Sequence, residues 1–390
     1  MSPSALDVLR ALGSANAAAG LPPPAALVGD WWGADAVIAP SIELIPGLAP
    51  PDRPDRFWFG CLGFPVRAGE AALPEAVGGL TDEVLVLRDG EWTLRRAQGA
   101  SSSALVEQAR STSLVERAQR VQTPPPTATW TPPARDSHLT AVAACREAIA
   151  AGEVYQACIC TRFDGTLDGD PLAYFADLAA ATAPAKSAFL QGDWGAIASF
   201  SPESFLRRKG GRVTSSPIKG TLPADADPVL LAASEKDVAE NVMIVDLVRN
   251  DLGRVAKTGS VTVPELLSVV GAPGVWHLVS TVAAELDDAV GNDALLDATF
   301  PPASVTGTPK IRAAELIAEW EQFPRGVYCG AVGMAGPGLE LDLNVAIRTV
   351  QIAPDGSMSL GVGGGITYDS DPLAEWQECL DKASSIVGPK

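Results

Sequence analysis

Chemistry in this chain would begin at Lys219. In Pro217-Ile218-Lys219-Gly220-Thr221 the lysine is flanked by a residue that fixes its own φ and one that admits backbone conformations closed to others. The spacing predicts a stiff loop in which neighbours set the direction of the side chain. Such a lysine is a nucleophile if its surroundings strip its proton, and otherwise a solvated surface charge. Glu240 lies on a predicted helix, Ser234–Leu252, within about 40° of Ile244 and about 20° of Leu247 at helical spacing. A carboxylate among core-facing residues must pair with a cation or snorkel at the edge of the apolar stripe. On a second predicted helix, Leu373–Val387, Asp371 reads as N-cap and Pro372 as the first helical residue. Leu373, Trp376, Leu380, Ala383 and Val387 form one apolar face, with Glu375, Glu378 and Lys382 striped opposite. That stripe suits a solvated surface. Two carboxylates one turn apart also suit Mg²⁺, which takes a few carboxylate oxygens, water and a substrate oxygen.

Other groups point to an anion. Gly361-Val-Gly363-Gly364-Gly365 ends a predicted strand that begins at Met358–Val362, and lets backbone N–H groups approach a negative charge closely. It lacks the strand-turn-helix setting of a dinucleotide fingerprint. Thr308 reads as the cap of a helix Lys310–Gln322, another anion-binding terminus. Arg348 is placed in an alternating strand, on the side of Asp342 and Asn344, where it reaches solvent or fills a polar pocket. His277, in the apolar strand Val275–Ala283, reads as a satisfied core histidine. Glu203 follows a strand and is ordinary by spacing. Cys329 has no histidine and carboxylate at triad-like positions and reads as packing.

The elements that must position these groups come from a chain of 390 residues, enough for two domains or one large fold. A hydrophobic content of 47% with 19% charged residues describes a soluble globular protein. The net charge of −18 repels nucleic acid and anionic membranes, so neither is expected as a partner. A small anionic substrate would need local positive charge or a cation to overcome that field. The spacing of the six cysteines marks no zinc or redox motif and suits reduced cytoplasmic thiols. The N-terminus lacks a signal-peptide layout, and no run of 18 apolar residues occurs, so a cytoplasmic location is expected.

Composition divides the chain into an N-terminal subdomain (1–120), a Pro-rich linker (121–136) and a catalytic region (137–390), the first and last sharing one compact fold. Short β-like runs precede the linker at Ala36–Ile38, Phe57–Phe59 and Val84–Leu87, and a helix is predicted around Leu105–Val121. After it come a helix Leu139–Ala151 and strands Val154–Phe163, Ala196–Arg208, Gly330–Met334 and Leu341–Ile352. Strands and helices mix without a β-α-β period, which predicts an α+β fold with mostly antiparallel sheets.

Read in order, the blocks Gly152-Glu-Val-Tyr-Gln156, Ser201-Pro-Glu203, Pro217-Ile-Lys-Gly-Thr221, Glu235-Lys-Asp-Val-Ala-Glu240 and Trp276-His-Leu-Val-Ser-Thr281 continue into Ser304-Val-Thr-Gly-Thr-Pro-Lys310 and Arg325-Gly-Val-Tyr-Cys-Gly330. Asn344-Val-Ala-Ile-Arg-Thr349, Gly363-Gly-Gly365 and Glu375-Trp-Gln-Glu378 complete the series. Together they resemble the chorismate-utilising enzymes across 137–390. The resemblance implies an anthranilate synthase component I-like fold, with two large antiparallel sheets packed as a sandwich and helices outside. Lys219 with Gln156 is similar to the branch that aminates chorismate towards p-aminobenzoate and folate. Anthranilate synthases carry Ala at the first position, and isochorismate and salicylate synthases carry Lys at the second.

By that resemblance Lys219 is the nucleophile and Glu203 the acid, with His277 assisting. Glu240, Glu375 and Glu378 hold Mg²⁺, while Ser304, Tyr328, Arg348, Lys382 and the backbone of Gly363, Gly364 and Gly365 bind chorismate. No glutaminase motif is present, so ammonia is expected from a glutamine amidotransferase subunit or from free ammonium. Anthranilate synthesis and a non-catalytic chorismate-binding scaffold remain as alternatives. Cys158 and Cys160 stand where the family carries Asn- and Thr-like residues, Ser216 where a basic residue is common, and Pro302 where Gly is usual.

Overall fold

Short runs of β-branched, aromatic and aliphatic residues separated by Gly, Pro and Asp turns build two antiparallel sheets. The computed structural model describes residues 3–65, 71–99 and 124–388. The helix expected around Leu105–Val121 lies outside them. Among the described residues, the first sheet has 11 strands and the second 10. The first runs Gly307–Thr308, Gln156–Asp168, Ser357–Ile366, Thr349–Ile352, Gly195–Ser199, Lys186–Gly192, Ala25–Trp31, Ala34–Ala39, Glu83–Arg88, Glu91–Arg96. The second runs Ile218–Pro223, Val275–Glu285, Arg212–Ser216, Ser204–Lys209, Glu340–Val345, Ala331–Gly336, Phe57–Leu62, Ala76–Thr81, Ile45–Pro46. Thr262–Ala272 pairs with Val275–Glu285, and Thr127–Thr131, inside the Pro-rich stretch, pairs with Gln156–Asp168. Residues from before that stretch therefore supply strands to both sheets.

The sheets face each other across a core in which Leu27, Val37, Leu190 and Ile197 of the first meet Phe57, Phe59, Val332 and Met334 of the second. Helices cover the outside. Ala5–Ala19, begun by a Ser4 capping box, packs with Pro171–Thr182 and Pro372–Val387 against Phe163, Phe189 and Leu360. Arg135–Ala150 and Lys310–Trp320 pack on Ile159 and Ile366, while Glu235–Gly253 lays Ile244, Val248 and Leu252 over Val213 and Val282. This is the α+β architecture that the strand and helix pattern predicts. No described helix is long and apolar enough to cross a membrane.

Several local expectations change. Ala196–Arg208 is two strands, Gly195–Ser199 in the first sheet and Ser204–Lys209 in the second, and Leu341–Ile352 likewise divides into Glu340–Val345 and Thr349–Ile352. Glu203 and Arg348 thus sit at corners where the chain changes sheets, and Arg348 adopts φ 49° instead of alternating along a strand. The strand expected at Met358–Val362 runs on as Ser357–Ile366, and the glycine run that ends it stays paired because the partner Gln156–Asp168 outweighs the weak strand preference of glycine. Thr308 caps nothing: the helix starts at Lys310 after Pro309, with no side-chain cap. On the last helix Leu373 is exposed, but Ala383 of the predicted apolar stripe is buried and Leu380 and Val387 pack against the same core, with Glu375 and Cys379 also turned inward.

One buried ion pair spans the sandwich. Lys186 Nζ of the first sheet lies 2.6 Å from Asp342 Oδ1 of the second and 4.0 Å from the centre of the Trp31 ring. Arg207 Nε and the Trp32 N–H meet the other carboxylate oxygen at 3.2 and 3.0 Å. Asp342→Ala would strand the Lys186 charge in the core and is expected to cost about 3–5 kcal/mol of unfolding free energy in urea titrations. A cost below about 1 kcal/mol, the range of an exposed pair, would show that the bridge is dispensable.

Candidate active site

Lys219 is not in a loop. It lies in the edge strand Ile218–Pro223, where the register slips between Ile218 and Thr221 and Gly220 takes φ 85°. The slip is a bulge, and a bulge re-aims the side chain it carries. Lys219 Nζ comes within 3.5 Å of Glu240 Oε2. Lys236, one helical turn before Glu240, lies 3.9 Å from Glu240 Oε1 and 2.9 Å from Glu375 Oε1. Burial raises the Glu240 carboxyl above the usual carboxylate range, against the pull of Lys219 and Lys236. Sequence reading missed Lys236, although its spacing from Glu240 on one helix face carried the signal.

The floor beneath these charges is the glycine strand. A Cβ at Gly365 would lie 2.8 Å from Lys219 Nζ, 3.1 Å from Gln156 Oε1 and 3.3 Å from Glu240 Oε2, so only glycine leaves room there. Past Leu360 the strand is paired on one side only among the described residues, leaving alternate backbone groups of Gly363–Gly365 on an open edge. Gln156 is buried, and its Oε1 has no hydrogen-bond partner among the described residues.

Glu203 sits at its corner with 4% of its surface exposed. Burial pushes its carboxyl up to about 7, opposed by hydrogen bonds from Ser304 and the Ile218 N–H and by the Lys219 charge. Glu203 is therefore a carboxylic acid that holds or releases a proton near neutrality. His277 Nδ1 lies 2.9 Å from Thr221 Oγ1. Burial, reinforced by the Arg348 charge, pushes its imidazole down to about 4, so it is neutral at pH 7.

Arg348 is mostly buried and makes no ion pair among the described residues, and burial lowers its pKa. A guanidinium withdrawn from water without a counter-charge is an anion site. Lys382 is already committed, donating to Gly363 O at 2.8 Å and meeting Glu378 Oε1 at 2.7 Å. Burial favours the neutral form of Glu378, but Lys382 outweighs it and holds that carboxyl low. Tyr328 packs its ring under Gly361, where a Cβ would come within 2.2 Å of it. Contacts and charge effects thus link Lys219, Glu203, Glu240, Glu375, Glu378, Ser304 and Gly363–Gly365 into one site, with His277 beside Thr221 and Arg348 near His277.

Among the described residues, no three His, Cys, Asp or Glu stand ready to hold a metal ion. The donors nonetheless fit a hard divalent cation. Glu240, Glu375 and Glu378 offer only carboxylate oxygens, and a Cβ at Gly364 would fill the space 3.1 Å from Glu375 Oε2 and 3.8 Å from Glu378 Oε1.

A second buried pair fixes the far wall. Arg325 meets Glu321 Oε2 and Oε1 at 2.8 and 2.7 Å, and donates to the carbonyls of Val305 at 2.8 Å and Cys158 at 2.7 Å. Glu321 Oε1 also accepts the Cys160 N–H at 2.9 Å. The turn carrying Ser304 is thereby tied to the strand carrying Gln156. An ammonium cannot reproduce this planar fork, so Arg325→Lys is expected to lose at least about 2 kcal/mol of stability. Equal urea midpoints and slopes for the two proteins would contradict that role.

The geometry meets known proteins here. The chain is 45% identical over 245 residues to aminodeoxychorismate synthase component 1 of Salmonella typhimurium, covering 61% of this chain and 54% of that protein. It is 38% identical over 367 residues to aminodeoxychorismate synthase of Streptomyces griseus, covering 86% and 51%. It spans about half the length of the curated relatives it matches. Anthranilate synthase component I from Streptococcus pneumoniae superposes with TM-score 0.71 at 26% identity, covering 94% of this chain and 90% of that one. The menaquinone-specific isochorismate synthase of Escherichia coli shares the fold, with TM-score 0.75 at 20% identity over 99% and 92%. The family model for chorismate binding enzyme matches residues 45–388, so this chain belongs to the chorismate-binding enzymes.

Proposed function

We propose that this chain is an aminodeoxychorismate synthase component I, turning chorismate and ammonia into 4-amino-4-deoxychorismate and water. The observation that carries the reading is the pairing of Lys219, aimed by its bulge toward Glu240, with the protonatable Glu203 and with Gln156 where a water-activating lysine would otherwise stand.

Arg348 and the open edge of Gly363–Gly365 bind the enolpyruvyl carboxylate, with Tyr328, Ser304 and Lys382 in the surrounding wall. A bound Mg²⁺, held by Glu240 and Glu378 with Glu375 behind, would neutralise the ring carboxylate. Lys219, as the free amine, attacks ring C2. Both ring double bonds shift, the C4–O bond breaks, and Glu203 gives its proton to the departing hydroxyl, which leaves as water. Ammonia then adds at C4, both double bonds shift back, the C2–N bond to Lys219 breaks, and the new ammonium at C4 returns a proton to Glu203. Dividing one difficult substitution into two easier ones is the gain from the covalent relay. The neutral His277 holds Thr221 and the bulge in place. Ammonia comes from a separate glutamine amidotransferase subunit, and the product leads towards p-aminobenzoate and folate.

Two measurements bear on this. Chorismate, Mg²⁺ and ammonium should yield aminodeoxychorismate, and mass spectrometry should find a substrate adduct on Lys219 that vanishes, with most turnover, in Lys219→Ala. Anthranilate as the main product, or full activity in Lys219→Ala, would sink the assignment. The second is the pH profile. A general acid must be protonated, so kcat/KM should fall as pH rises through about 7, the value to which Glu203 is pushed. Glu203→Gln should lower kcat by about 10²–10⁴. A profile flat from acid to alkaline pH would remove Glu203 from the role.

A further inference from the structure

Three thiols lie in the wall of this site. Gln156, Cys158 and Cys160 alternate along one strand, so their side chains share a face, and the closeness of Gln156 to Lys219 shows that the face turns inward. Cys158 Sγ and Cys160 Sγ are 3.8 Å apart. Cys329, just before the second-sheet strand Ala331–Gly336, lies close to both. All three are free and buried, Cys158 being the most open. The cluster also touches the substrate floor, because a Cβ at Gly363 would come within 2.6 Å of Cys160 Sγ. Nothing in the chemistry proposed above uses these sulfurs.

The charges around them separate their roles. Hydrogen bonds from Cys160 and Cys329, aided by Arg325 and Lys219, outweigh burial and hold the Cys158 thiol well below its ordinary value. Burial drives Cys160 and Cys329 the other way. The thiolate form is thus favoured at Cys158 and disfavoured at its two neighbours, the division of roles between a reactive cysteine and a resolving one.

We propose that Cys158 and Cys160 form a peroxide-oxidisable pair, a modification site that shuts the active site reversibly. The Cys158 thiolate attacks one oxygen of a hydroperoxide. The S–O bond forms, the O–O bond breaks, and the released hydroxide takes up a proton as water. The sulfur of Cys160 then attacks the resulting sulfenic acid. The S–S bond forms, the S–O bond breaks, and the hydroxyl leaves as a second water with the Cys160 proton. Two thiols and hydrogen peroxide become one disulfide and two waters, the two electrons passing from sulfur to peroxide oxygen.

Positions two apart on a strand hold their Cα atoms about 6.6 Å apart, close to the long limit of about 6.8 Å that a disulfide spans. Bonding must draw the strand in at this point. Cys158 and Cys160 are the register partners of Gly365 and Gly363, so the contraction is passed to the floor under Lys219 and to Gln156. A bridge at the edge of its allowed geometry is readily reduced, which makes the mark reversible.

The test treats the reduced protein with hydrogen peroxide, unfolds it, alkylates the remaining thiols and maps peptides by mass. Cys158 and Cys160 should escape alkylation together, with a loss of about 2 Da, while Cys61, Cys145 and Cys379 are fully alkylated. Turnover of chorismate with ammonium should fall in step and return with a dithiol reductant. Cys160→Ser should stop at a Cys158 sulfenic acid trapped by a cyclic 1,3-diketone, and Cys158→Ser should keep whatever turnover it has through the same treatment. Full alkylation of both cysteines, a bridge to Cys329 in their place, or unchanged turnover after the 2 Da loss would overturn the proposal. The shutdown rests on the amination reading, whereas the mass readout does not. A protein that forms the bridge but makes no aminodeoxychorismate would therefore fail that reading alone.

Discussion

The antiparallel pairing of Gln156–Asp168 with Ser357–Ile366 is the constraint on which the rest of the site depends. Its register runs unbroken from Ser357 against Thr166 to Ile366 against Ala157. It sets Gln156 beside Gly365 and brings the start of the last helix, with Glu375 and Glu378, over the glycine run. A side chain on that run would have to share space with Lys219, Glu240 or Glu375. Glycine weakens strands, and here the one paired neighbour, Gln156–Asp168, holds the run extended while its other edge stays open.

Charge is the second organising force. In a chain of net charge −18, the site gathers Lys219, Lys236 and Lys382 against Glu240, Glu375 and Glu378, with Arg348 left over. Each lysine lessens the repulsion among carboxylates that would otherwise resist burial together. The arrangement suits an anionic substrate and its cation, since the positive groups are local although the global field is negative.

The two corners join these forces to chemistry. Glu203 and Arg348 lie where strands leave one sheet for the other, and each corner is held by a backbone bond, from Val345 N–H to Glu203 O and from Phe200 N–H to Arg348 O. The same burial that pushes the Glu203 carboxyl up to about 7 pushes His277 down to about 4, favouring the neutral form of each. Arg325 and Glu321, fully paired and buried, keep the Ser304 turn and the Gln156 strand in step.

How much of this was legible follows from the range of each interaction. Asp371 accepts from the N–H groups of Leu373 and Ala374, and Ser234 accepts from that of Asp237, as short-range cap chemistry predicts. The α+β class and several strands also follow from local pattern, whereas Ala25–Trp31, Lys186–Gly192, Ile218–Pro223 and Thr262–Ala272 do not. Arg348 leaves the strand that alternation predicts, Thr308 forms no cap and Leu373 is exposed, because each depends on a partner far along the chain. Lys219 shows the division most clearly. Its sequence, Pro-x-Lys-Gly, by itself determines that the side chain has a restricted direction, through φ restraints on its neighbours. Only the pairing with Val275–Glu285, and the bulge it forces at Gly220, decides that this direction leads to Glu240 and the glycine floor, since register is a property of two strands and not of one.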